Sequence, residues 1–369
     1  MAEGPIQRVR VAGVASAVPD QLADPRGPAE AFGAEEVEKI LSSTGTRRRR
    51  LAREAQPRMC VSDLCVAAAS RLLRDLDWDR DSVGAVVLVT QTPDYRLPAT
   101  ACVVSARLGL PKTCAALDVS LGCSGYVYGL WLAGSLIASG AVRRALVMVG
   151  DMLPLFLSPL DRATRLLFGD AGAVTALEFS EDAAPMWFTL GTDGRGYKSL
   201  IIPAGASRVP SDEQTRLRIE AENGNIRGPE DLFMDGSEIF AFTLREVPAM
   251  IKSVLRQAGW SEPDVDAFVF HQANLFMLTH LAKRMKIPLE KVPLSLGEYG
   301  NTSSASIPLT LNHCLGSRIG GAPMNLVLAG FGVGLSWGAV ALRCGPIVAP
   351  PVIEVEASAI MEHGQEIGK

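Results

Sequence analysis

Two uninterrupted stretches without a charged side chain constrain this sequence most: residues 119–142 and 319–342, each 24 residues long and each bounded by charged residues. Length alone would let either cross a bilayer as a helix. Their composition argues otherwise. Gly122, Gly125, Gly129, Gly134 and Gly140 punctuate the first, and Gly320, Gly321, Pro323, Gly330, Gly332, Gly334 and Gly338 the second, too many helix breakers for a lipid-facing segment. No membrane span is expected. Both stretches read instead as elements buried on every side within a large soluble fold.

A chain of 369 residues has room for about two domains, or for one large duplicated domain. With 36 Lys and Arg against 40 Asp and Glu, the net charge of −4 gives no electrostatic case for a nucleic-acid partner. The N-terminus lacks a basic segment followed by a long apolar one, so a cytoplasmic location is expected. The seven cysteines contain no CxxC and the four histidines no HExxH, so no metal is expected.

Short β-branched or apolar runs alternate with longer helical patterns. Residues 9–14, 83–90, 115–119 and 145–149 read as strands, and 31–41, 61–76, 98–108 and 124–139 as helices. The alternation returns over 250–258, 267–270, 275–285, 307–314 and 326–329. This is a layered α/β fold in two comparable halves, residues 1–183 and 184–344. Residues 191–228 are polar and turn-rich, an excursion over the surface or the mouth of a site. Residues 345–369 carry Pro346, Pro350 and Pro351 and read as a tail or strap outside the core. The run Arg47–Arg50 reads as a solvated or ion-paired face, or as an attractor of phosphate beside a substrate mouth.

Three positions carry chemistry. Cys123 lies in LGCSG, between a strand and a helix, where a helix N-terminus favours the nucleophilic thiolate. His271 follows the strand at 267–270 and opens HQAN; Asn301 lies 30 residues later in GNTSSAS. Polar clusters at the C-terminal ends of apolar strands are where α/β proteins build sites. Two enzymes use such a set. In a papain-like peptidase the histidine is a base and the asparagine orients it, but the C-G-S-C-[WY] surroundings are missing. In the other, the cysteine accepts an acyl group from a thioester, while histidine and asparagine donate hydrogen bonds to the thioester carbonyl of a second substrate.

From Val9 to Arg343 the chain resembles β-ketoacyl-acyl-carrier-protein synthase III, an initiating condensing enzyme of the thiolase superfamily. The resemblance rests on TGTRRRR at Thr44, Pro98 to Cys102, GCSG at Gly122, FGDAGA at Phe168, HQAN at His271, GNTSSAS at Gly300 and GFGVG at Gly330. It implies a duplicated βαβαβαββ fold in five αβαβα layers, and a homodimer. It also implies that an acyl-CoA or acyl-carrier-protein primer acylates Cys123, and that malonyl-carrier protein then decarboxylates against His271 and Asn301. The backbone N–H groups of Cys123 and Val333 would hold the oxyanion. No cofactor is implied beyond these thioester substrates.

By the same resemblance Arg162, Gly236 and Asn274 contact substrate, and Lys283 and Arg284 dock the carrier protein. Leu97, Leu153 and Met234 are expected to shape the acyl pocket. Some positions depart from the family's usual residues: Val333 stands where glycine is usual, Lys39 where a tryptophan stacks on adenine, and Ala241 and Phe276 where carrier-docking basic residues lie. These departures favour a specialised paralogue, in secondary metabolism or with a particular acyl chain. The alternative on the same fold is an acyltransferase moving the Cys123-bound acyl group to a hydroxyl, amine or thiol.

Overall fold

The computed structural model describes residues 2–52, 58–221 and 224–360. Its interior strands are buried on both faces, and their alternation assigns each face to a different core. In Ala85–Val89, Ala85, Val87 and Val89 enter one core, while Val86 and Leu88 enter a second. In Ala267–Phe270, Ala267 and Val269 enter the first core, and Phe268 and Phe270 a third. A strand covered on both faces has no place for a charge, which is why such runs read as continuously apolar.

Six strands form one sheet in the order Ile353–Val355, Val9–Pro19, Ala171–Phe179, Arg144–Asp151, Ala85–Val89, Ala115–Val119. Five form the other, in the order Ala2–Ile6, Met186–Thr192, Ser336–Cys344, Met324–Gly332, Ala267–Phe270. The helices Gly125–Ala138 and Ser306–Gly321 lie between the sheets and touch both. Val61–Asp75 and Thr100–Arg107 cover the outside of the first sheet, and Gly236–Ala258, with Leu275–Met285 against it, the outside of the second. The result is the five-layered arrangement, helix on sheet on helix on sheet on helix.

The first charge-free stretch becomes the end of a strand, the Cys123 turn and the central helix. That helix is not buried throughout, since Trp131 is 40% exposed on it. The second stretch becomes the end of the other central helix and the antiparallel strands Met324–Gly332 and Ser336–Cys344. The first half shows βαβαβαββ in full, whereas between Leu275–Met285 and Ser306–Gly321 the described residues add no strand to the sheet. Pro288 and Pro293 lie within that segment and lack the ladder donor a strand needs.

The segment after Arg343 differs from a tail or strap outside the core. Ile347 is buried in the first core and Val355 packs in the second. Val348 exchanges backbone hydrogen bonds with Val14 (2.9 Å) and Ala12 (3.1 Å), and Ile353–Val355 runs parallel to Val9–Pro19 at the sheet edge. The apolar residues between the prolines cover an edge that would otherwise be open. Residues 361–369 lie outside the described residues.

The arginine run is the ion-paired face at Arg47, Arg48 and Arg50, and departs from it only at Arg49. Arg47 pairs with Glu298 (2.9 Å) and Arg50 with Glu354 (2.6 Å), while Arg49 is 2% exposed and donates to the carbonyls of Arg165 and Phe168 (2.9 and 3.1 Å). Its work is to pin the loop that precedes the Ala171–Phe179 strand.

Candidate active site

Cys123 sits in the turn between the strand Ala115–Val119 and the central helix Gly125–Ala138, 6% exposed. The strand Met324–Gly332 passes close behind it. A Cβ on Gly332, whose φ is +158°, would stand 2.9 Å from Cys123 Sγ, so a side chain here would press on the nucleophile. The Cys123 sulfur receives backbone hydrogen bonds from its own residue and from Val333. Ser303 Oγ lies 3.9 Å away.

A helix N-terminus favours the thiolate, and burial opposes it. Burial, reinforced by the Asp151 carboxylate, pushes the thiol up to about 11. A rise of two units from the ordinary 9.0 opposes ionisation by about 3 kcal/mol. A helix terminus typically supplies only about 0.3–1 kcal/mol. The resting nucleophile is therefore a thiol.

His271 follows the strand Ala267–Phe270 and is 2% exposed, its ring edge-on to Phe331. Burial pulls its imidazole down to about 4, and a hydrogen bond to the Ser303 backbone only partly opposes this. The ring is neutral at pH 7. Its Nδ1 lies 2.8 Å from Ser306 Oγ, which also accepts the Gln272 N–H at 3.3 Å. We assign the hydroxyl hydrogen to Nδ1, which leaves the ring N–H on Nε2.

Asn301 is held by the FGDAGA motif. Its N–H bonds to the Leu167 carbonyl and its own carbonyl accepts the Gly169 N–H, both at 3.0 Å. Its side-chain orientation is set too: Oδ1 accepts the Ser303 N–H at 2.9 Å, and Nδ2 donates to the Ala273 carbonyl at 3.4 Å. One amide hydrogen remains for a ligand.

Cys123, His271 and Asn301 line one chamber of about 70 Å³, together with Met234, Gly236, Asn274, Phe168 and Leu200. A second chamber of about 240 Å³ opens from Cys123 on the other side, walled by Leu153, Phe156, Phe168, Leu200, Leu232 and Val333. Met234 thus faces the His–Asn chamber rather than sharing a pocket with Leu153. Leu97 lines neither and is 82% exposed on the loop before Thr100–Arg107. Arg162 also lines neither; its Nε and backbone N–H both reach Asn225 Oδ1.

Lys283 and Arg284 are exposed in the last turn of Leu275–Met285, where positive charge also suits the helix dipole. On the same helix Phe276, 49% exposed, packs its ring at a tilt against His280 and Phe240. Lys39 is exposed and near Glu36. Among the described residues no group of three or more His, Cys, Asp or Glu is placed to hold a metal ion, and no helix is long and apolar enough to cross a membrane.

Sequence reasoning missed Gln91, Asp151, Ser303 and Ser306. Asp151 had a visible signal, a charge closing the apolar run 145–150. The serines stood inside GNTSSAS with nothing to separate turn formers from site residues.

Two family profiles match the chain: 3-oxoacyl-(acyl-carrier-protein) synthase III over residues 117–194, and its C-terminal counterpart over residues 255–344. Beta-ketoacyl-(acyl-carrier-protein) synthase III of Pseudomonas aeruginosa strain LESB58 is 40% identical over 312 residues, 84% of this chain and 88% of that protein. Among solved structures, a 3-oxoacyl-(acyl-carrier protein) synthase from Burkholderia xenovorans LB400 superposes with a TM-score of 0.90 at 46% identity, covering 96% of this chain and 99% of that one. The priming β-ketosynthase from the R1128 polyketide biosynthetic pathway gives a TM-score of 0.78 at 29% identity, covering 95% and 99%.

Proposed function

The chain belongs to the 3-oxoacyl-(acyl-carrier-protein) synthase III family, and from that membership we propose how its own residues divide the reaction. The reaction is the decarboxylating condensation of an acyl thioester primer with malonyl-carrier protein. In the first half, Cys123 Sγ bonds to the primer carbonyl carbon, the thioester C–S bond breaks, and the thiol proton leaves with the departing thiol. The backbone N–H groups of Cys123 and Val333, both beside the sulfur, donate to the developing oxyanion. An isopropyl group at position 333 leaves that role intact, because only the backbone donor is used.

In the second half, the malonyl thioester carbonyl sits between the remaining Asn301 amide hydrogen and His271 Nε2–H, which turns to it from the Ser303 carbonyl. Loss of CO2 leaves an enolate on that oxygen. The enolate carbon then attacks the acyl carbonyl, the C–S bond to Cys123 breaks, and the departing thiolate takes a proton from solvent. Neutral His271 suits this task, being a donor whose own charge does not change. The convergence of these two donors on the chamber that holds Cys123 carries the reading. Plain acyl transfer to a hydroxyl, amine or thiol needs no such pair and is disfavoured.

The larger chamber takes the acyl chain. At about 240 Å³ it exceeds the roughly 150 Å³ cavity that accepts benzene, so it suits a primer larger than acetyl. The chemistry as written requires no resident cofactor. Acyl-CoA and acyl-carrier protein both remain donors in this proposal; exposed Lys39 and the Arg162–Asn225 contact favour the carrier-bound one. Lys283 and Arg284 offer positive charge to an acidic carrier protein.

A homodimer is supported by the apolar edge strand Ala115–Val119, which ends its sheet only part-buried, and by exposed Tyr95, Leu97 and Trp131. Leu97 would then reach the partner's acyl pocket. Seven unpaired cysteines fit the reducing cytoplasm. The test separates the half-reactions: His271→Ala and Asn301→Ala should lose CO2 release from malonyl-carrier protein by about 10²–10³-fold while Cys123 still acylates. Normal CO2 release by both variants would remove His271 and Asn301 from these roles.

A further inference from the structure

Asp151 ends the strand Arg144–Asp151 and is 1% exposed, yet no step above uses it. Its carboxylate accepts hydrogen bonds from Gln91, from Ser304 and from the Ser303 hydroxyl. Oδ1 takes the Gln91 N–H at 2.8 Å; Oδ2 takes the Ser304 hydroxyl at 2.7 Å and the Ser304 N–H at 3.2 Å. One buried side chain therefore ties the loop after Ala85–Val89 to the turn that carries Asn301.

That turn needs tying. Ser303 adopts φ +49°, the left-handed region that non-glycine residues occupy at a cost and keep only where their surroundings hold them. From this conformation Ser303 reaches all three reacting groups. Its N–H fixes Asn301 Oδ1, its Oγ lies 3.9 Å from Cys123 Sγ, and its backbone bonds His271. Asn301 holds Ser303 from one side; Ser304, the next residue, is anchored by Asp151 on the other.

We propose that Asp151 is a positioning residue for the decarboxylating half-reaction, acting through Ser303 and Ser304 to hold the Asn301–Ser303 turn against Cys123. The assignment rests on the reading of His271 and Asn301 as the enolate donors. Nearby, the same carboxylate helps keep the Cys123 thiol protonated, which agrees with its closeness to the site.

Asp151→Asn separates this role from a general structural one. The amide oxygen still accepts the Gln91 N–H, but its NH2 then faces the Ser304 N–H, donor against donor. Displacing a reacting group by a fraction of an ångström to 1 Å costs about 10- to 100-fold. That is the loss expected in CO2 release from malonyl-carrier protein, while acyl loading of Cys123, weighed as intact mass, does not fall, because losing the Asp151 charge eases ionisation of the thiol. Ser304→Ala removes only the hydroxyl contact and should shift the same ratio in the same direction by about three- to tenfold. It decides the question if Asp151→Asn does not fold. An equal fall in both half-reactions, or unchanged CO2 release, in an active protein overturns the assignment alone. Wild-type protein that releases no CO2 overturns the donor reading and this assignment with it.

Discussion

The neutral His271 ring makes a prediction about stability as well as rate. Its folded pKa is depressed from the ordinary 6.5 to about 4, and its burial is the cause. Between those values the unfolded chain binds a proton that the folded chain refuses. Stability linked to this group is therefore fully present above about pH 6.5 and is lost as pH falls toward 4. The full shift is 2.5 units, worth about 3 kcal/mol, of which about 2–3 kcal/mol should be gone by about pH 4.5. His271→Gln keeps a polar side chain in the cavity but has nothing to titrate. Urea unfolding of wild type and variant, at one protein concentration in reductant from about pH 7.5 to 4.5, should show the stability difference changing by that amount in the variant's favour. Other buried acids, Asp151 included, titrate in both proteins and cancel in the difference. Parallel pH dependences for the two proteins would refute the claim that this imidazole is held neutral by burial.

Gly332→Ala should slow acylation of Cys123 by about 100-fold and cost about 1–3 kcal/mol of stability, because the new methyl stands 2.8 Å from Cys123 Cβ and 2.9 Å from Sγ. Single-turnover acylation followed by mass, beside a denaturation curve, checks both; acylation at the wild-type rate would show that the strand does not crowd the nucleophile. Cys123 should react with iodoacetamide slowly at neutral pH, its rate rising about tenfold per pH unit toward its pKa of about 11. A plateau below about pH 8 would mean that the helix terminus, not burial, controls the thiol.

The parts of this structure legible in the sequence are those that local pattern must express. Strands and helices covered on both sides exclude charge, so residues 119–142 and 319–342 announced a central helix and an inner strand pair. Cys123, His271 and Asn301 stood out because glycines and polar clusters interrupt apolar runs at strand ends. Other features depend on what tertiary packing brings near. The thiol's protonation follows from burial and from Asp151, which are not visible beside Cys123 in sequence. Asp151 and Ser304 meet across 153 residues. The separation of Leu153 from Met234 into different chambers depends on which side of Cys123 each loop passes. The segment 345–360 carried prolines that suggested a tail or strap outside the core, while the residues between them follow the edge of a sheet.

The central claim is that Cys123 carries the acyl group between two half-reactions. It is tested most directly by weighing the intact protein after incubation with acyl-CoA and acyl-carrier-protein donors of increasing chain length. The account predicts one acyl adduct per chain on wild type, mapped to the peptide containing Cys123, and none on Cys123→Ala. An adduct of the same mass and rate on Cys123→Ala would contradict it.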